Sequence, residues 1–350
     1  MSVFQTKESM NPNLRQVLVS HLGEAKTSYL VNLMHLSPKL SSWRDGLVSR
    51  LELAQALNMA LFSSILDRVP SGSAYTQDVI ARGDKVCLDH GALRTVRWPA
   101  MGALPSGEVA IVRILKPLGF QLNGVYPLDR LGMTGRSYAH VDDPEHISQF
   151  FVSELHPERF STRFQESVTR VLEKSRDPIS PQAVTLLHEL DRDGGLPLHQ
   201  AQVLLPMLLA CFDRQHPICR VEDYEALLQE SAEMAWIATE GNVFNHATDR
   251  VADVFALSDE QKRLGRAIKA SVEVSSSGRV KQTAFKADVV LRHMLKADGT
   301  IEERLVPGSF YEFISRDMVD DGGERRLDLG FDAANAQGIF KMTAQVHGSD

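Results

Sequence analysis

The chain has 350 residues, 43% of them hydrophobic, and a formal net charge of −7 with the signs interspersed. The apolar share suffices for a buried core, the acidic balance without a basic run argues against a nucleic-acid partner, and no run of about eighteen apolar residues offers a membrane span. Three cysteines, Cys87, Cys211 and Cys219, lack zinc-like spacing, and the N-terminus lacks an apolar signal core, which together predict a cytoplasmic protein.

Residues 12–69 read as helices, with Leu14, Val17, Leu18 and Leu22 and then Leu47, Leu51, Ala54, Leu57 and Leu61 at helical spacing. Pro38 separates the two stretches, and Pro70-Ser71-Gly72 ends the second. From Asp84 the period becomes two. Val86, Leu88, His90, Ala92 and Arg94 share one side of a strand that ends near Trp98-Pro99. Ser106 is the predicted N-cap of a helix bearing Val109, Val112 and Leu115. Strands follow at Phe120–Leu128, Arg136–Val141 and His146–Leu155, with His140 and His146 in surface or turn roles.

Residues 158–240 return to helical spacing, with Ala183, Leu186, Leu187 and Leu190 on one face and a single helix predicted over Val221–Ile237. The run Asp191-Arg192-Asp193-Gly194-Gly195 lacks the spaced acidic ligands of a calcium loop and reads as a turn. The next extended stretch, Gly241–Arg250, repeats the earlier arrangement of a central histidine, His246, with an arginine four residues on. A helix predicted from Ser258, hairpins at 270–285 and 289–306, and a strand at Ser309–Met318 complete the chain. That last strand puts Glu312, Ile314 and Arg316 on one face, so Arg316 either orients Glu312 or pairs at the surface. Gln282 and Thr283 are candidates for a cavity wall. The pattern divides the chain into a helical segment (1–83), a first βαβββ-type module (84–157), a helical insertion (158–240) and a second module with its C-terminal segment (241–350), forming one compact domain.

Two histidines and one carboxylate form the donor set of non-haem Fe(II) oxygenases, and His90, His246 and Glu312 could supply it. The alternative at this point is a strand with a buried core histidine and a surface arginine.

His-Gly-Ala-Leu-Arg (90–94), Asn-His-Ala-Thr-Asp-Arg (245–250) and Tyr-Glu-Phe-Ile-Ser-Arg-Asp (311–317) resemble the signature segments of the 2-oxoadipate dioxygenase/decarboxylase family, or hydroxyglutarate synthases. Gly330–Thr343 is also similar, so the likeness runs from about residue 50 to the C-terminus. It implies an α+β, vicinal-oxygen-chelate-like curved sheet, mixed or antiparallel, built from two βαβββ modules with added helices. It further implies Fe(II) held by His90, His246 and Glu312, with Zn, Mn or Ni as substitutes in a purified sample, and Arg94 on the substrate carboxylate. The implied partners are a 2-oxo acid and O2, with neither nucleic acid nor a membrane. The implied reaction turns a 2-oxoadipate-like diacid into a 2-hydroxyglutarate-like acid and CO2, in lysine catabolism for the family. Characterised members are longer, and the additional sequence lining their pocket has no counterpart placed here. A Zn or Mn lyase and a non-catalytic metal or small-acid sensor on the same scaffold are the alternatives, since these donors do not select iron alone.

Overall fold

The computed structural model describes residues 10–333. The elements in chain order are α1 (Pro12–Leu33), β1 (Leu47–Ser49), α2 (Arg50–Arg68), α3 (Pro70–Ala81), β2 (Leu88–Val96), α4 (Val109–Leu115), β3 (Phe120–Leu128), β4 (Met133–His140) and β5 (Gln149–Leu155). There follow α5 (Thr162–Leu172), α6 (Pro181–Asp193), β6 (Gly195–Pro197), α7 (Leu198–Leu209), α8 (Val221–Leu228) and α9 (Ala232–Glu240). The last group is β7 (His246–Arg250), α10 (Val254–Arg263), β8 (Glu273–Val274), β9 (Val280–Ala284), β10 (Val289–Leu295), β11 (Ile301–Pro307), β12 (Phe310–Arg316), β13 (Met318–Asp321) and β14 (Glu324–Leu327). No helix among the described residues is long and apolar enough to cross a membrane.

Eight strands form one sheet in the order β3-β4-β5-β2-β7-β12-β9-β8. In its first half β2 leads through α4 to β3, β4 and β5, and β5 returns parallel to β2. The second half repeats the path from β7 through α10 to β8, β9 and β12, and β12 returns parallel to β7. The halves join through antiparallel pairing of β2 with β7. This is the paired-module α+β sheet of the vicinal-oxygen-chelate type. The hairpin β10–β11 forms a separate two-stranded sheet between β9 and β12 in sequence.

Side chains alternate across the sheet. One face carries Leu93, Phe150, Val152, Tyr311 and Phe313 into a core shared with α1, α2 and α7. A second core joins α5, α8 and α9 to the strand ends at Val96, Leu128 and Leu155. The opposite face of the sheet carries the polar residues discussed below.

Local chemistry moves several boundaries from their expected places. Asp253, rather than Ser258, caps α10: its carboxylate accepts from the Phe255 and Ala256 amides at 2.9 and 3.0 Å, while Ser258 is buried inside the helix. Ser106 accepts from the Trp98 amide at 2.9 Å and caps no helix; α4 starts after Glu108. The helix expected over 221–237 is two, because Ser231 caps α9 through the Met234 amide at 3.1 Å. Pro70 ends α2 and also opens α3, at the first-turn position where its missing N–H costs nothing. His140 is buried rather than superficial; its ring meets Phe120 edge-on at 5.1 Å, and burial pushes its pKa down to about 4.

Gly91 lies at the centre of the β2–β7 pairing, opposite Ala247. A Cβ there would stand 2.0 Å from the Phe244 ring. Gly91→Ala is therefore expected to destabilise the fold by about 1–3 kcal/mol through overpacking, read as a lower midpoint in urea unfolding with an unchanged slope.

Candidate metal centre

β2, β7 and β12 are neighbours, and their registers place His90, His246 and Glu312 on the same face. One donor atom from each lies within 4.8 Å of the other two, and all three residues are buried. The Nε2 atoms of His90 and His246 are each 3.3 Å from Glu312 Oε2. Two donors about 2.1 Å from one first-row ion, at right angles, stand about 3.0 Å apart, so the donor set fits a single small divalent cation. Thr248, two residues beyond His246 and so on the same face, donates from its hydroxyl to Glu312 Oε2.

Each histidine is held by the residue before it. Asp89 accepts from His90 Nδ1 at 2.9 Å, which leaves the Nε2 lone pair facing the centre. Strict alternation would aim Asp89 at the other face, but the register shifts between Leu88 and His90, and such a bulge re-aims a side chain. Asn245 plays the matching part for His246. Its Nδ2 lies 2.8 Å from Nδ1, while its Oδ1 is buried with no partner among the described residues. A half-turn of the amide puts the oxygen at Nδ1–H and frees the His246 Nε2 lone pair for a cation.

The two anchors differ in charge, and the histidines differ accordingly. Burial opposes protonation of His90, but the Asp89 and Glu312 carboxylates outweigh it and raise its pKa. Burial pushes His246, with a neutral anchor, down to about 3. Burial would raise Asp89, yet Arg316 and His90 hold it well below the usual carboxylate range. Glu312 is likewise lowered against its burial by the two histidines.

Arg316 thus has a role different from either expected one. Its guanidinium donates to Asp89 through Nε and Nη2 at 2.9 and 2.8 Å, with both side chains almost fully buried. Nη1 donates to the carbonyls of Asp328 and Gly330. The guanidinium also lies 4.7 Å from the Phe331 ring centroid, and Phe331 meets His90 edge-on at 4.8 Å. Of the family-like stretch 330–343, residues from 334 on lie outside the described residues.

Arg94 is fully buried on the face of His90. Its guanidinium carbon lies 4.8 Å from the Trp236 ring centroid. Burial lowers its pKa to about 10, Glu233 opposes that shift, and its positive charge in turn helps lower His246. Arg250 and Asp249 serve the framework: Arg250 donates to the Glu145 carbonyl at 2.8 Å, and Asp249 accepts from Tyr75 at 2.8 Å and from the Cys87 amide at 2.9 Å. Gln282 pairs with Ile314, on the Glu312 side, whereas Thr283 pairs with Phe313 and faces the helices. Asp89, Asn245 and Trp236 were not singled out in the sequence; the Asp-His and Asn-His dipeptides are the available signal for the first two.

The sequence profile of the 2-oxoadipate dioxygenase/decarboxylase family matches residues 53–338. No curated protein sequence matches the chain. A solved protein from Ralstonia eutropha JMP134, provisionally placed in the glyoxalase superfamily, is 60% identical, with 93% of this chain and 99% of that chain covered and a TM-score of 0.89. Hydroxyglutarate synthase from Oryza sativa, solved with 2-oxoadipate, shares the fold at 19% identity, covering 83% of this chain and 91% of its own, with a TM-score of 0.62. The Pseudomonas putida hydroxyglutarate synthase, also solved with 2-oxoadipate, shares it at 21% identity, covering 86% and 74%, with a TM-score of 0.59.

Asp89→Asn keeps the shape of the His90 anchor and removes its charge. Affinity for Co(II) or Mn(II), measured by chelator competition, is expected to fall roughly 10- to 100-fold, as for other outer-shell partners. Wild-type affinity in the variant would make Asp89 a partner of Arg316 alone.

Proposed function

This chain belongs to the 2-oxoadipate dioxygenase/decarboxylase family, and we propose that it is a cytoplasmic Fe(II)-dependent enzyme that converts a 2-oxoadipate-like diacid and O2 into a 2-hydroxyglutarate-like acid and CO2. The observation that carries this reading is the buried His90–His246–Glu312 cluster sharing a sheet face with the buried cation of Arg94. Iron held by the three donors would supply the oxidising chemistry with O2. The diacid contains its own 2-oxo acid, so no external 2-oxoglutarate is required. The relatives solved with 2-oxoadipate support the choice of substrate class, and three free cysteines support a reducing compartment.

The chain's own residues bind, orient and exclude water. Arg94 receives the distal carboxylate, because a planar guanidinium offers two parallel charged hydrogen bonds. Trp236 stacks against that guanidinium and keeps it dry, which strengthens the contact. The Thr248 hydroxyl holds Glu312 by donating to Oε2, so that this carboxylate remains a donor of fixed orientation. Tyr126, Phe151 and Phe331 pack together beside His90 and shield that side of the centre from water.

The test is anaerobic Fe(II) reconstitution followed by oxygen-uptake and CO2 assays over 2-oxo diacids and monoacids. Uptake dependent on both iron and a diacid is expected; no uptake with any 2-oxo acid would return the lyase and sensor readings. Within that assay, Arg94→Ala should bind Fe(II) as wild type does and lose about 10- to 100-fold in kcat/KM for the diacid, corresponding to roughly 1.5–3 kcal/mol for a charged hydrogen bond. Arg94→Lys should recover only part of this, and a monoacid should be nearly indifferent. Equal losses on mono- and diacids would make Arg94 structural.

A further inference from the structure

The sheet contains an approximate twofold axis. Across β2 and β7, His90 pairs with Thr248, Gly91 with Ala247 and Ala92 with His246. An axis through the Gly91–Ala247 pair exchanges His90 with His246 and Ala92 with Thr248. The anchors follow the same symmetry, since Asp89 and Asn245 each precede and hold a histidine. Outward from the axis, Thr248 pairs with Glu312 on β12, and Ala92 pairs with Phe151 on β5. Phe151 is therefore the symmetry counterpart of Glu312, on the same face as His90.

We propose that Phe151 stands at the fourth donor position of this pseudo-symmetric site, and that a phenyl ring there, in place of a carboxylate, reserves one side of the metal for the incoming 2-oxo acid. The inference rests on the metal-dependent reading above. Phe151 is buried, stacks on Tyr126 with ring centroids 5.7 Å apart, and meets Phe331 at 5.0 Å; Phe331 in turn meets His90 at 4.8 Å. Among the described residues, these rings form a continuous aromatic run from Tyr126 through Phe151 and Phe331 to His90. A cation held by only three protein donors would keep positions open for a chelating 2-oxo acid and a further small ligand. A fourth protein donor would take up one of those positions and compete with the chelating acid. Phe151 is accordingly a specificity-determining residue that favours a chelating substrate over a fully protein-ligated, structural metal.

The experiment moves the carboxylate across the axis. Co(II) affinity is measured by chelator competition on wild type, Glu312→Ala, Glu312→Ala/Phe151→Glu and Phe151→Glu, with folding checked by circular dichroism and thermal melting. Glu312→Ala is expected to lose more than the roughly 10- to 100-fold typical of an outer-shell partner, and the double variant to regain at least about tenfold. The double variant buries as many carboxylates as wild type, so it adds no charge to the site; Glu312→Ala/Phe151→His offers a neutral donor if the first pair does not fold. Phe151→Glu alone should bind Co(II) more tightly than wild type, and 2-oxoadipate should no longer change its visible absorption. Folded double variants that bind no better than Glu312→Ala overturn the inference while leaving the metal reading intact. Wild type that binds no Co(II) overturns both.

Discussion

The antiparallel pairing of β2 with β7 is the constraint on which the site depends. Each strand belongs to a separate module, and each brings one histidine; the pairing about Gly91 and Ala247 puts both rings on one face at neighbouring positions. Because strand side chains alternate, a slip of one residue would send one histidine into the helical core on the other side. The Phe244 ring, packed where a Cβ of Gly91 would lie, helps fix this closest approach.

Electrostatics then distinguish two halves that the backbone makes alike. Arg316, Asp89 and His90 form a buried chain of charge, with the Asp89 carboxylate neutralised on one side by the guanidinium and shared on the other with the imidazole. Burying such a pair is expensive unless its hydrogen bonds are satisfied, and here the two Nη1 hydrogens are taken by the Asp328 and Gly330 carbonyls. The other half uses a neutral amide, Asn245. The outcome is one histidine made more basic and one made less so, from anchors at equivalent places.

Much of this was legible before the structure. A His with an Arg four residues later, twice, in runs that switch from period 3.6 to period 2, marks the two central strands, and Glu312 falls on the strand that completes the triad. The partner of Arg316 was not legible, since the alternation rule turns Asp89 away from His90 and only a bulge, with no sequence signature of its own, turns it back. Helix starts were misplaced where two capping residues compete within a few positions, as with Asp253 and Ser258. The burial of His140 was equally hidden, because its surroundings come from Phe120 on another strand.

The Arg94 environment has a different origin from the metal donors. The donors come from three strands of the sheet, while Trp236 and Glu233 come from α9, in the helical segment inserted between the modules. Arg94 itself stands on β2 beside His90, so what the inserted segment contributes is the wall against its guanidinium. Substitutions confined to α9 would alter the surroundings of Arg94 without touching His90, His246 or Glu312. An interposed segment of this kind lets the neighbourhood of one buried cation vary independently of the strands that carry the histidines and the glutamate.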